Sequence, residues 1–160
     1  MRLYFDVQHL YYIPQYLPVL KELKAKGYKV SMVFYEEQDE RSRAVCRDFI
    51  DKNAIVAKWL TNTSETFDFY QNSDADWVVF GNTFAGAEDL NKKTVLMQHG
   101  IGPKQCYYDV SNNKMTVRFV EGEHRLQRLK TLYPEGNFID SGYAKLDPIF
   151  NQTLDSINLR

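Results

Sequence analysis

Residues Thr94 to Lys104 read TVLMQHGIGPK. Thr94 to Gln98 predict a short buried strand, because a β-branched and apolar run of that length carries no helical period. The strand stops at His99, and Gly100-Ile101-Gly102-Pro103-Lys104 turns the chain at once. In an open α/β sheet, ligands sit outside the carboxyl ends of the strands. A histidine at such an end, backed by glycines that let a substrate approach the backbone, is placed for proton transfer. A second stretch, Ser141-Gly142-Tyr143-Ala144-Lys145-Leu146-Asp147, follows the last predicted strand.

Outward from Thr94, strand-like and helix-like patterns alternate along nearly the whole chain. Leu3–Val7, Val30–Tyr35, Ile55–Leu60, Asp76–Phe80, Thr94–Gln98, Thr116–Val120 and Phe138–Ser141 read as strands. Pro14–Lys26 reads as a helix with Leu17, Leu20, Leu23 and Lys24 on one face and Gly27 as its stop. Asp39–Lys52 reads as a second helix with Val45, Phe49 and Ile50 as its apolar stripe. A shorter one opens at Thr63-Ser64-Glu65, and Gly122–Tyr133 carries Leu126, Leu129 and Leu132. This βαβ rhythm predicts an α/β fold, a Rossmann-like and mainly parallel sheet with helices on both faces and right-handed crossovers. The continuous apolar runs of Leu3–Val7, Val30–Tyr35, Asp76–Phe80 and Thr94–Gln98 mark them as interior strands.

The composition excludes several classes. With 44% hydrophobic and 26% charged residues, the 160-residue chain is ordinary globular material. A formal net charge of −1 leaves no electrostatic footprint for nucleic acid. No charged segment followed by an apolar core opens the chain, and no apolar run reaches the ~20 residues of a membrane span. A cytoplasmic protein is expected. Cys46 and Cys106 form no CxxC pair and are expected to be buried, reduced thiols. Neither GxGxxG nor GxxxxGK[ST] is present, so the chain is neither a plain dinucleotide-binding domain nor a P-loop enzyme. Asp74-Ala75-Asp76 has the spacing of a metal-binding pair but precedes a strand, where it reads as a strand-entry cap. No metal and no cofactor is expected.

Gln8-His9 closes the first strand as Gln98-His99 closes the fifth, so a parallel sheet would bring both imidazoles to one edge. Histidine titrates near neutral pH and can serve as a base, although a strand-end histidine is often only a hydrogen-bonded structural residue. Lys104 could neutralise an anionic substrate group or be a solvated loop lysine. Gly100 and Gly102 permit close backbone approach or simply turn the chain. Lys145 and Asp147 either line the crevice or fix the exit of the chain. His124, in the first turn of a predicted helix, reads as a surface residue. The aromatic run from His9 to Tyr16 could stack on a sugar or polyol, meet a membrane interface, or pack under a loop.

His99-Gly100-Ile101-Gly102-Pro103-Lys104 resembles the HGTPxK element of the CDP-glycerol glycerophosphotransferases, the teichoic-acid and capsule polymerase family with a GT-B fold. Gly142-Tyr143-Ala144-Lys145-Leu146-Asp147 resembles that family's G-[YF]-P-R-x-D element. Gln98 stands where the family usually has Trp, the proline is shifted to 103, and Ala144 and Lys145 replace Pro and Arg. The resemblance implies that His99 is the catalytic base. It implies that Lys104 lies nearby and that the crevice receives an acceptor hydroxyl; Gly100, Gly102, Lys104, His9 and Lys145 are the residues expected to face that acceptor, a polyol phosphate or glycan. It further implies that residues 1–148 form the N-terminal, acceptor-side domain of a GT-B fold. Residues 149–160 would begin a connecting helix to a C-terminal domain that binds CDP-glycerol. The expected setting is cell-envelope polymer synthesis at the inner face of the membrane, and this chain alone is expected to be inactive. Two other readings fit the same residues: another GT-B enzyme, either a sugar transferase or a nucleotide-sugar 2-epimerase, and a non-enzymatic Rossmann-like binding module.

Overall fold

The computed structural model describes residues 1–100, 102, 104–109 and 113–151. In chain order the elements are β1 (Arg2–Asp6), α1 (Ile13–Ala25), β2 (Lys29–Tyr35), α2 (Glu40–Lys52), β3 (Val56–Leu60) and α3 (Thr66–Asn72), followed by β4 (Trp77–Phe80) and β5 (Lys93–Leu96). Then come β6 (Val117–Val120), α4 (Glu123–Leu132), β7 (Phe138–Asp140) and α5 (Asp147–Phe150). The strands form one seven-stranded sheet in the order β3-β2-β1-β4-β5-β6-β7. Every neighbouring pair is parallel. The α/β, Rossmann-like expectation is therefore met, and the four strands read as interior lie side by side as β2-β1-β4-β5.

Strand alternation supplies each face of the sheet with its own core. Leu3, Phe5 and Val7 join Val30, Met32 and Phe34 on one face, where α1 covers them with Ile13, Tyr16 and Leu20 and α2 with Cys46. Tyr4, Val33, Tyr35, Val78 and Phe80 point the other way, against Tyr70 and Phe67 of α3. A third, smaller cluster joins Val120 and Phe138 to Leu126 and Leu129 of α4.

The helix ends follow local rules. The Asp39 side chain accepts from Ser42 N at 3.0 Å and starts α2. The Ser42 hydroxyl, which donates to Asp39 Oδ2, and then the Ser42 N–H hold the Asp39 carboxyl below its ordinary range. Gly27 (φ 80°) ends α1 in a Schellman arrangement, with Gly27 N–H donating to Lys24 O and Tyr28 N–H to Leu23 O, both at 3.0 Å.

Several finer expectations are corrected. The buried face of α1 is Ile13, Gln15, Tyr16 and Leu20, while Lys24 is exposed. On α2, Val45 is exposed and Cys46 takes its place, one residue and 100° further round the helix. Leu132 has likewise drifted off the buried arc of α4. Strand β5 ends at Leu96 rather than Gln98, because Gln98 adopts φ 56° and leaves the ladder. Cys106 is exposed, in contrast to the buried Cys46, whose thiol burial pushes up to about 11. Of the connecting helix expected over residues 149–160, Ile149 and Phe150 end the short helix Asp147–Phe150, and residues 152–160 lie outside the described residues.

Asp74 and Asp76 lie at the opposite, amino edge of the sheet. Asp76 Oδ2 accepts from Arg2 N at 2.7 Å, and Asp74 pairs with the Arg2 guanidinium and accepts from Tyr4 Oη. Among the described residues, no group of three His, Cys, Asp or Glu side chains could hold a metal ion, and no helix is long and apolar enough to cross a membrane.

Candidate functional site at the carboxyl edge of the sheet

The chain adds β2 and β3 on one side of β1, then crosses back and adds β4 to β7 on the other. The order therefore reverses between β1 and β4, and a doubly wound sheet opens its ligand crevice at that point. The loop after β1 carries His9, Tyr11 and Tyr12. The loop after β4 begins with Gly81, and β5 beside it leads to His99.

Four contacts fix His99. Its Nδ1 lies 2.9 Å from Gly81 O. A carbonyl oxygen can only accept, so Nδ1 carries the proton and the neutral ring keeps its lone pair on Nε2. The ring stacks on buried Tyr12 at 4.9 Å and 26°, and exposed Tyr11 leans over it at 5.1 Å. The phenol of Tyr143 donates to His99 O at 2.6 Å. That last bond joins the two sequence stretches that carry the family resemblance, although they lie 44 residues apart.

The half-buried imidazole titrates below its ordinary 6.5, with burial as the main cause. The bond to Gly81 opposes the shift, and the charges of Lys104, His9 and Lys145 reinforce it. The ring is therefore neutral, and able to accept a proton at Nε2, at physiological pH.

His9, Lys104 and Lys145 lie near enough to His99 for their charges to act on it, and all three are exposed. His9 stacks on Tyr11 at 5.0 Å. Lys145 is held there through its backbone N–H, which donates to the buried Gln15 Oε1 at 3.0 Å and ties the segment after β7 to α1. Gly100 O accepts from Gln98 Nε2 and Gly102 O from Arg125 Nη2, so both glycines also help shape the turn. Asp147 is exposed on α5 and His124 is exposed on α4. The aromatic run divides: Tyr12 and Tyr16 are core, and Tyr11 is on the surface beside both histidines. One cleft is lined by Gln8, His9 and Thr63, and another by Ile13, Leu17 and Lys145; the His99 ring lines neither.

Sequence reasoning missed five supports of the site. Gly81 supplies only a carbonyl, and it must be glycine: a Cβ there would lie 2.8 Å from the Tyr12 ring and 2.9 Å from Tyr16 Oη. Tyr143 lies within a quoted motif, yet only the fold reveals its partner. Gln98 is held in left-handed backbone, a conformation that costs a non-glycine residue of order 1–3 kcal/mol. Its side chain is anchored by Arg118, whose Nη2 donates to Gln98 Oε1 at 2.7 Å. Arg118 is 1% exposed and also donates to Tyr107 O at 2.6 Å and to Asn113 Oδ1.

Asp6, at the carboxyl end of β1, is the fifth. It is fully buried, and its Oδ1 accepts from the phenols of Tyr35 and Tyr70 while Oδ2 has no hydrogen-bond partner. Burial pushes its carboxyl from 3.8 up to about 6, against the pull of those two hydrogen bonds. The folded protein therefore keeps a proton that the unfolded chain has released between these two values, and stability falls as pH rises through that window. Asp6→Asn retains an acceptor for both phenols and removes the titration. Its stability relative to wild type is expected to gain about 2–3 kcal/mol between pH ~4 and pH ~7, measured by urea unfolding at both. A pH-independent difference would show that Asp6 stays ionised in the fold.

No protein-family model, curated protein or solved structure matches this chain. The fold defines it as a parallel, Rossmann-like α/β protein with a histidine set at the switch-point edge.

Proposed function

We propose that this chain is the acceptor-side domain of a transferase that moves glycerol phosphate from CDP-glycerol to an acceptor hydroxyl in cell-surface polymer synthesis. The observation that carries the reading is the contact of His99 Nδ1 with Gly81 O, which leaves Nε2 as the proton acceptor, in a ring kept neutral by burial and by Lys104, His9 and Lys145. Contact between Tyr143 and His99 supports it further, because it brings the two family-like elements into one site.

In this reading His99 Nε2 takes the proton of the acceptor hydroxyl as its oxygen attacks the glycerol phosphate phosphorus. The bond from that phosphorus to the bridging oxygen of the diphosphate breaks, and CMP leaves with the electron pair. The proton then passes from His99 to solvent. Lys104 and Lys145 offset the charge of an anionic acceptor, and exposed Tyr11 offers a ring face to a polyol or sugar. The donor nucleotide is held by a second Rossmann-like domain, at the inner face of the membrane.

The test is a coupled assay on the protein that carries this domain. With CDP-glycerol and a glycerol-phosphate primer, CMP release is expected to keep step with primer extension. Absence of both, in a preparation that consumes a nucleotide-sugar instead, would move the protein to another transferase class.

A further inference from the structure

Beside the His99 turn lies a cleft of about 470 Å³, lined by Gly102, Tyr108, Glu121, Gly122, Arg125 and Arg128, among others. It opens on the first turn of α4, a ten-residue helix whose N-cap, Gly122, supplies no side-chain cap. The leading N–H groups of a helix have no intrahelical acceptor, and together with the helix dipole they favour an anion.

A second observation is independent of the helix end. The Arg125 side chain, on the wall of this cleft, is only 8% exposed, and its Nη1 has no hydrogen-bond partner. Its other nitrogens are committed: Nε donates to Glu121 Oε1 and Nη2 to Gly102 O, at 2.6 and 2.7 Å. Arg118 lies close enough for the two guanidinium charges to repel. Glu121 is the carboxylate that acts on both. Two buried cations thus share one counter-charge, and Arg118 Nε is also without a partner. An uncompensated buried charge is costly, and an added anion relieves it. Exposed Arg128 extends the cationic wall, with its guanidinium 4.2 Å from the Tyr108 ring centre. Glu123, on the same turn, is exposed and accepts from Gln127 Nε2.

We propose that the first turn of α4, with Arg125 and Arg128, is a binding subsite for a phosphate ester, joined to the His99 site through Gly102. Assigning that ester to the acceptor rests on the transferase reading; the anion site itself does not. The hydrogen bond from Arg125 to Gly102 O couples the two: an acceptor phosphate on α4 would set its hydroxyl relative to the turn that starts at His99.

The experiment is an NMR titration of the 160-residue chain. Its two arms are soluble glycerol phosphate and vesicles carrying phosphatidic acid, with chloride as control at equal ionic strength. Saturable shifts are expected at the amides of Gly122, Glu123 and His124. Arg128→Gln, an exposed substitution that leaves the buried pair intact, is expected to weaken binding by about tenfold. His99→Ala should bind as wild type does, so loss of turnover in that variant alone leaves the subsite standing. Saturation by the soluble ester identifies a soluble or polymer phosphate as the source. Saturation by vesicles alone, still sensitive to Arg128→Gln, identifies a lipid headgroup. Both support the subsite. No saturable shift in either arm, or an Arg128→Gln titration equal to wild type, overturns it.

Discussion

His99→Ala is expected to lower transferase turnover by about 10²- to 10⁴-fold while the domain stays folded, because that is what a positioned general base contributes. The ring rests on Tyr12 and touches Tyr11 and Tyr107 at the edge of the sheet, so its loss removes contacts at the surface of the site and leaves the sheet core untouched. His99→Gln should recover nothing. Its amide can donate to Gly81 O as Nδ1 does, but it offers no group that accepts the proton. The pH profile separates a base from a merely structural histidine. Burial and the charges of Lys104, His9 and Lys145 hold the imidazole below 6.5, so the acidic limb of kcat/KM should fall below that pH. Lys104→Gln removes one of those charges and should move the limb upward. Near-wild-type turnover in a folded His99→Ala protein, checked by circular dichroism, would reject the catalytic role.

Much of this arrangement is legible in the sequence, and the reasons differ by level. The sheet is legible because strands covered on both faces must be apolar at consecutive positions, as in Leu3-Tyr4-Phe5 and Val78-Val79-Phe80. The convergence of His9 and His99 is legible because a parallel sheet puts all its carboxyl ends on one edge. The helix faces are less so. Gln15 is buried in α1 because its amide oxygen is taken by the backbone of Lys145, 130 residues away, and no periodicity reveals such a partner. Gly81 is silent for another reason: it acts through a carbonyl and through the space its missing side chain leaves for Tyr12. Arg118 did leave a signal. A cation inside the run Val117-Arg118-Phe119-Val120 contradicts the strand pattern, and such conflicts collect at functional or strained sites.

Arg118→Met is expected to destabilise the domain by roughly 3–5 kcal/mol, a fall in Tm of about 10 °C. Methionine has nearly the length to fill the space, so the cost arises from acceptors rather than from a void. Tyr107 O, Asn113 Oδ1 and Gln98 Oε1 all face the guanidinium, and each loses its charged donor in a place that water does not reach. A buried acceptor left unpaired costs about 1–3 kcal/mol. Burial and the Arg125 charge hold the Arg118 pKa down to about 10, and removing that buried charge keeps the net loss below the sum of the three. Arg118→Lys should fall between, since one ammonium cannot span a fork of three acceptors. The loss should also reach the chemistry. Gln98 holds its left-handed backbone with its amide pinned between Arg118 and Gly100 O, and it immediately precedes His99. Without Arg118 the residue can relax toward the β region, and His99 Nδ1 then leaves Gly81 O. Thermal unfolding of both variants, read beside turnover at a temperature where each is folded, tests the two effects separately. A change in stability under ~1 kcal/mol for Arg118→Met would mean that the three acceptors find other donors. Lost stability with unchanged turnover would mean that Gln98 keeps its conformation without the anchor.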